Sequence, residues 1–195
     1  MSLAHGVSRR RFLDLGLIAA IGFGLSSCTS SGTLKPLRPP PRNVGFGGIV
    51  NTGRKLTDIL ASFARTNTPA YFAEARAYVV PFPEDAVPEA KALPYPAPII
   101  GNLEHGFVVL YQKCSHLGCR VPFCVSSQWF ECPCHGGKFN RVGEKRDGPP
   151  PRGMSRFLGA VAADGTLSID TRTEYLGEPL GTDTTGQEPE GPSCV

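Results

Sequence analysis

The sequence predicts an all-β fold: a small antiparallel β-sandwich, preceded by an N-terminal signal or anchor helix and one short amphipathic helix. Three observations predict it. The chain of 195 residues contains 23 Gly and 19 Pro, a composition that favours a loop-rich β domain over a helical one. Short runs of β-branched and aromatic residues recur from Ala75 onward, bounded by turn formers. Two Cys- and His-bearing loops follow directly on two of those runs, which places both loops at one end of the sandwich.

At the amino terminus, Ser8-Arg9-Arg10-Arg11-Phe12-Leu13 precedes an apolar stretch from Leu15 to Leu25. This order of basic and hydrophobic regions resembles a twin-arginine export signal, the route that accepts cargo already folded. Residues 1–28 are therefore assigned to a signal or membrane anchor. Leu25-Ser26-Ser27-Cys28 resembles a lipobox, so cleavage with lipid attachment at Cys28 is one outcome and retention as an anchor the other. The strongly apolar part is shorter than the ~20 residues of a spanning helix, yet no charge occurs from Leu15 to Leu34. Residues 29–48, with Lys35-Pro36-Leu37-Arg38-Pro39-Pro40-Pro41 at their centre, form a semi-rigid linker that serves either as a tether or as a plain connection.

The domain proper is expected over residues 49–176. Leu56, Ile59, Leu60 and Phe63 recur at helical spacing and give the short amphipathic helix its packing face. Ala77-Tyr78-Val79-Val80, Phe107-Val108-Val109-Leu110-Tyr111 and Gln128-Trp129-Phe130 are the strands, and Ala163-Asp164-Gly165 is a tight turn between two more. Pro81 to Pro98 holds six prolines and is expected as a surface excursion. Trp129 and Phe130 are expected to pack in the core or shield the site. The segment 177–195, rich in Gly, Thr, Pro and acidic residues, is expected to be a flexible tail.

Charge excludes little except nucleic acid. Of the net +3, Arg9, Arg10 and Arg11 against Asp14 supply +2, which leaves about +1 for everything after Cys28, no basic footprint for a polyanion. His5 and His105 carry no evident role.

The chemistry is concentrated in two motifs, Cys114-Ser115-His116-Leu117-Gly118-Cys119 and Cys132-Pro133-Cys134-His135-Gly136-Gly137. Each offers one Cys and one His, so together they can hold a metal centre by two thiolates and two imidazoles. A nucleic-acid-binding zinc finger would put both Cys in one half and both His in the other. Here each half is mixed, which suits loops that each hand one sulfur to one iron and one nitrogen to a second.

On these motifs, and on Gly148-Pro149-Pro150-Pro151 downstream, residues 106–162 resemble the cluster-binding part of a Rieske iron-sulfur protein, in particular the Rieske subunits of quinol-oxidising cytochrome bc-type complexes. The resemblance implies one Rieske-type 2Fe-2S cluster. Cys114 and Cys132 would bind the inner iron, and His116 and His135 the outer one. Cys119 and Cys134 would form a disulfide tying the loops together. Leu117, Gly118, Gly136 and Gly137 would bring backbone N–H groups to the cluster sulfurs, with Pro149 in the covering loop. A structural zinc site with the same four ligands would leave Cys119 and Cys134 unexplained.

In the family the His of the second loop meets quinol, which makes His135 the expected contact for coupled electron and proton acceptance. An imidazole on ferric iron releases its proton more readily than one on ferrous iron, so taking up an electron favours taking up a proton. Partners implied are a cytochrome b subunit, a c-type cytochrome and quinol, at the cytoplasmic membrane with the cluster domain on its outer face. On family grounds the N-terminal segment is expected to stay as an anchor. High-potential members carry Ser and Tyr where this chain has Gly137 and Phe139, so two hydroxyl donors are missing and a low potential, suited to menaquinol, is expected. The alternatives are the Rieske small subunit of an exported molybdenum oxidoreductase such as arsenite oxidase, and a soluble ferredoxin for a ring-hydroxylating oxygenase. The export signal and the Cys119 and Cys134 pair disfavour the latter. Cys124 and Cys194 are left over; a buried free Cys124 and an idle terminal thiol are expected in preference to a bond between them.

Overall fold

Phe107–Tyr111, an uninterrupted apolar and aromatic run, is buried along its whole length and lies in the middle of the fold. The computed structural model describes residues 42–43 and 47–195; the signal or anchor of residues 1–28, with Cys28, and most of the linker lie outside the described residues. In chain order the elements are β1 Arg42–Asn43, β2 Ile49–Lys55, α1 Leu56–Thr66, β3 Ala70–Phe72, β4 Ala77–Pro81, a single 3-10 turn Glu84–Ala86, α2 Val87–Ala92 and α3 Ala97–Glu104. They continue with β5 Phe107–Tyr111, β6 Phe123–Cys124, β7 Trp129–Cys132, β8 Gly137–Phe139, β9 Lys145–Asp147, β10 Arg156–Val161 and β11 Thr166–Tyr175.

These strands form two antiparallel sheets. The larger runs β1-β11-β10-β5-β4-β3, with β2 also paired to β11; the smaller, β6-β7-β8-β9, is inserted between β5 and β10. Strand periodicity explains how one sheet serves two cores. Ala77, Val79, Phe107, Val109 and Tyr111 face one side, where they meet Leu56 and Ile59 of α1 and Leu167 and Ile169 of β11. Their neighbours Tyr78, Val80, Val108 and Leu110 face the other side, toward Ile99 and Leu103 of α3 and Phe130 and Phe139 of the small sheet. Cys114 and Cys132 belong to this second core. The helix expected from Leu56, Ile59, Leu60 and Phe63 is α1, with Leu56, Ile59 and Phe63 buried. It stops where Asn67 turns into the left-handed region and its N–H caps the Phe63 carbonyl.

Three expectations are corrected. Pro81 to Pro98 is not a surface excursion: α2 and α3 each carry a proline in their first turn, Pro88 and Pro98, the place where a missing N–H costs nothing. Val87, Ala90, Tyr95 and Ile99 bury themselves in the second core. Asn102 ties α3 to β10, donating to the Gly159 carbonyl at 2.7 Å and accepting from its N–H at 2.8 Å.

Secondly, residues 177–195 are not a loose tail. Glu178 is buried in an ion pair with Arg156, and the Thr184 hydroxyl donates to Glu144 at 2.6 Å. Ser193 donates to Glu131 at 2.8 Å and the Cys194 N–H to the same carboxylate at 2.6 Å. Thirdly, Cys124 and Cys194 are disulfide-bonded across a separation of 70 residues, so neither is the free thiol expected. Within the linker, Arg42 and Asn43 pair with Glu174 and Thr173 as a short strand on β11. Among the described residues no helix is long and apolar enough to cross a membrane.

Candidate metal centre

The two motif loops are built alike. In the first, the Gly118 N–H bonds back to the Cys114 carbonyl at 3.0 Å; in the second, the Gly136 N–H bonds back to the Cys132 carbonyl at 3.1 Å. Both glycines have positive φ, +88° and +68°, which reverses the chain without the steric cost a Cβ would bring. The first loop leaves β5 and is closed at its base by the Cys114 N–H to the Cys119 carbonyl, 2.7 Å, and a bridge between Lys113 and Arg120. The second is the hairpin between β7 and β8, with Cys132 opposite Gly137. Cys132 is thus held by its place in the β7–β8 ladder and Cys114 by the hydrogen bond that closes its own loop.

The loops meet. Cys119 and Cys134 are joined by a disulfide, and the sulfurs of Cys119, Cys132 and Cys134 lie within 4.8 Å of one another. Cys114 and Cys132 remain free and buried. Burial pushes the Cys114 thiol above its ordinary value; the N–H groups of His116 and Leu117 pull it down, and the adjacent Cys132 thiol adds to the rise. The His116 and His135 rings stand edge to face with centroids 5.0 Å apart. His135 is exposed and His116 half-exposed, while Leu117 beside it is 72% exposed. Two buried thiols and two more exposed imidazoles on the same pair of loops, with backbone N–H groups aimed at one of the sulfurs, are a donor set that fits a 2Fe-2S cluster.

The segment 148–151 closes over the second loop. A Cβ at Gly148 would lie 2.5 Å from the Gly136 carbonyl oxygen, and one at Gly137 would lie 2.5 Å from Pro150 Cγ. Pro149, the residue singled out from the sequence, is exposed; Pro150 is the buried one that covers the loop. Nothing local marks it, since three successive prolines differ only in which way the chain carries them. Phe139 is fully buried and Trp129 is buried in β7. On the flank of the first loop, a cleft of ≈ 250 Å³ is lined by Lys113, Ser115, His116, Arg152 and Glu174 among others; the Ser115 hydroxyl donates to the Arg152 carbonyl at 2.7 Å.

A buried polar network, missed from the sequence, fixes the small sheet to the large one. Arg156 of β10 pairs with Glu178 and donates to the Val142 carbonyl at 3.0 Å. Tyr95 donates to Glu144 at 2.7 Å, and Asn140 donates to the same carboxylate at 2.8 Å. The leftover pair of cysteines was the one signal in the sequence that the chain end returns to this sheet.

The Rieske [2Fe-2S] domain family model matches residues 78–158. The cytochrome b6-f complex iron-sulfur subunit of a Cyanothece species is 30% identical over 190 residues, covering 94% of this chain and 92% of the relative. The subunit of that name from Synechococcus elongatus is 28% identical over 177 residues, covering 89% and 90%. Among solved structures, the soluble domain of Rieske protein II from Sulfolobus acidocaldarius is similar with a TM-score of 0.43 and 14% identity, covering 76% of this chain and 88% of that one.

Proposed function

This chain belongs to the Rieske iron-sulfur protein family, and on that premise we propose that it is the Rieske subunit of a membrane quinol:cytochrome c oxidoreductase, with Cys114, His116, Cys132 and His135 as the four ligands of its 2Fe-2S cluster. The observation that carries this reading is the meeting of two buried free thiols and two surface histidines in loops tied by the Cys119–Cys134 disulfide. The cluster supplies a one-electron carrier whose histidine side reaches solvent.

The residues divide the work. Cys114 and Cys132, held by backbone hydrogen bonds and enclosed by apolar side chains, keep the inner half dry. His135, exposed at the tip, would accept the quinol hydroxyl's hydrogen bond at a ring nitrogen and take its proton. Leu117, next to His116 in the first loop and largely exposed, offers apolar surface to the partner that completes the quinol pocket. That partner is a cytochrome b subunit, and a c-type cytochrome receives the electron. The chain alone takes up electrons without turnover. Gly137 and Phe139 carry no hydroxyl, which lowers the potential within the Rieske span of roughly −150 to +300 mV and matches menaquinol. With the export signal, the cluster domain lies on the outer face of the cytoplasmic membrane.

The test is purification of the intact complex from detergent-solubilised membranes through a tagged copy of this chain. A co-purifying b-type cytochrome, with menaquinol-driven reduction of a c-type cytochrome lost in His135→Ala, is the expected result. A large molybdopterin subunit in its place would overturn the proposal.

A further inference from the structure

Gly137 and Pro150 are both buried, on loops that meet only in the folded chain. A Cβ built on Gly137 would fall 2.5 Å from Pro150 Cγ and 2.9 Å from Pro150 Cδ, and 3.7 Å from Cys132 Cβ. The pyrrolidine ring thus occupies the volume a side chain at position 137 would need. It cannot swing away as a long flexible side chain would, because the ring is closed onto its own backbone nitrogen. Gly148, two residues earlier, lies against the same loop: a Cβ placed there would be 2.9 Å from both the Gly136 carbonyl carbon and Gly137 Cα, so the covering segment sits directly on residues 136–137.

From this geometry we infer that Gly137 and Pro150 work as one unit, in which the Pro150 ring closes the second loop against any hydroxyl donor at position 137. Pro150 is thereby a positioning residue for the potential of the centre. The inference rests on the proposed ligand set and deepens it: the missing donor at 137 is enforced by a second residue, so a serine placed there alone has no room to point its hydroxyl inward. Replacing Pro150 by Ala removes Cγ and Cδ, the two atoms in the way, and keeps the backbone of the covering loop.

The experiment is a cycle of four full-length proteins, wild type, Gly137→Ser, Pro150→Ala and the double variant. Each is measured for thermal unfolding midpoint, iron content and redox midpoint by circular dichroism-monitored titration. Expected are a lowered unfolding midpoint with no rise in potential for Gly137→Ser, and little change in potential for Pro150→Ala. The double variant should recover unfolding midpoint relative to Gly137→Ser and show the highest potential of the four. A Gly137→Ser protein as stable as wild type, or a double variant that recovers no stability, would overturn the pairing. If stability recovers in the double variant but its potential stays at the wild-type value, the packing unit stands while the hydroxyl explanation of the low potential fails, and with it the role of Pro150 in setting that potential. Loss of a Rieske signal in the wild type itself would instead sink the ligand assignment.

Discussion

Gly148 rests against Gly136 so closely that a Cβ on the first would sit 2.5 Å from the carbonyl oxygen of the second. Gly148 also has φ +76°, a conformation that costs a non-glycine residue roughly 1–2 kcal/mol before any clash is counted. Gly148→Ala should therefore both destabilise the fold and lift the covering loop. Faster loss of iron to a chelator, with an unfolding free energy lower by at least that amount, is the expected outcome; a variant that holds iron like wild type would show that the contact is dispensable.

The Cys119–Cys134 disulfide joins the two loops directly, whereas Cys124–Cys194 fastens the chain end to β6. Loop closure gives each a stabilisation of about 2–4 kcal/mol, but their consequences for the centre should differ. Replacing Cys119 and Cys134 together by Ser should lower stability and weaken iron retention. Replacing Cys124 and Cys194 together should lower stability while leaving the redox midpoint in place. Denaturant titration with iron analysis of both double variants checks this, and equal iron loss in the two would contradict it.

Arg156 and Glu178 are each buried, with no more than 1% of the side chain exposed. Removing the carboxylate by Glu178→Ala leaves the guanidinium charged and without its counter-ion. A loss of about 3–5 kcal/mol is expected, the usual cost of breaking such a pair from one side. Urea unfolding monitored by tryptophan fluorescence reads it, and a change below about 1 kcal/mol would show that the pair contributes little.

Alkaline stability should depend on Tyr95. Burial raises its phenol well above the ordinary value; the charge of Glu178 adds to this, and Arg156 opposes it. Tyr78 and Tyr111 are raised by burial too, to a lesser degree. A phenol whose folded pKa lies above its unfolded one contributes stability that is complete below pH ~10 and is lost as the pH rises, because the unfolded chain ionises first. Tyr95→Phe should flatten that alkaline decline and, at neutral pH, cost about 1–3 kcal/mol through the donor lost to Glu144. An unchanged slope above pH ~10 would assign the decline to the other tyrosines.

Phe139 is wholly buried in the core shared with Cys114 and Cys132. Phe139→Tyr adds a hydroxyl without altering the backbone, so its redox midpoint should rise, in contrast to Gly137→Ser, where Pro150 stands in the way. A titration that finds Phe139→Tyr unchanged would remove the missing hydroxyl at position 139 as a cause of a low potential.

What the sequence reveals here is what is encoded locally. The strands around Val79, Val109 and Phe130 and the spacing of Cys114, His116, Cys132 and His135 are short-range patterns, and they are legible without the fold. Prolines 88 and 98 misled because proline breaks helices in their interior and starts them at their first turn, and only the start point decides which. The chain end looked mobile because its own residues are polar. Its anchors, Glu131, Glu144, Arg156 and Cys124, are supplied by distant parts of the chain. Pro150 is indistinguishable from Pro149 in the sequence for a similar reason: its partner Gly137 belongs to another loop.

The most direct measurement is an EPR-monitored redox titration of the full-length protein at several pH values, with pulsed detection of nitrogen couplings. A rhombic Rieske spectrum with two imidazole nitrogens on one iron, and a low midpoint that falls further at alkaline pH, is the result predicted for ligation by Cys114, Cys132, His116 and His135. An iron-free protein holding zinc, or a cluster without nitrogen couplings, would contradict it.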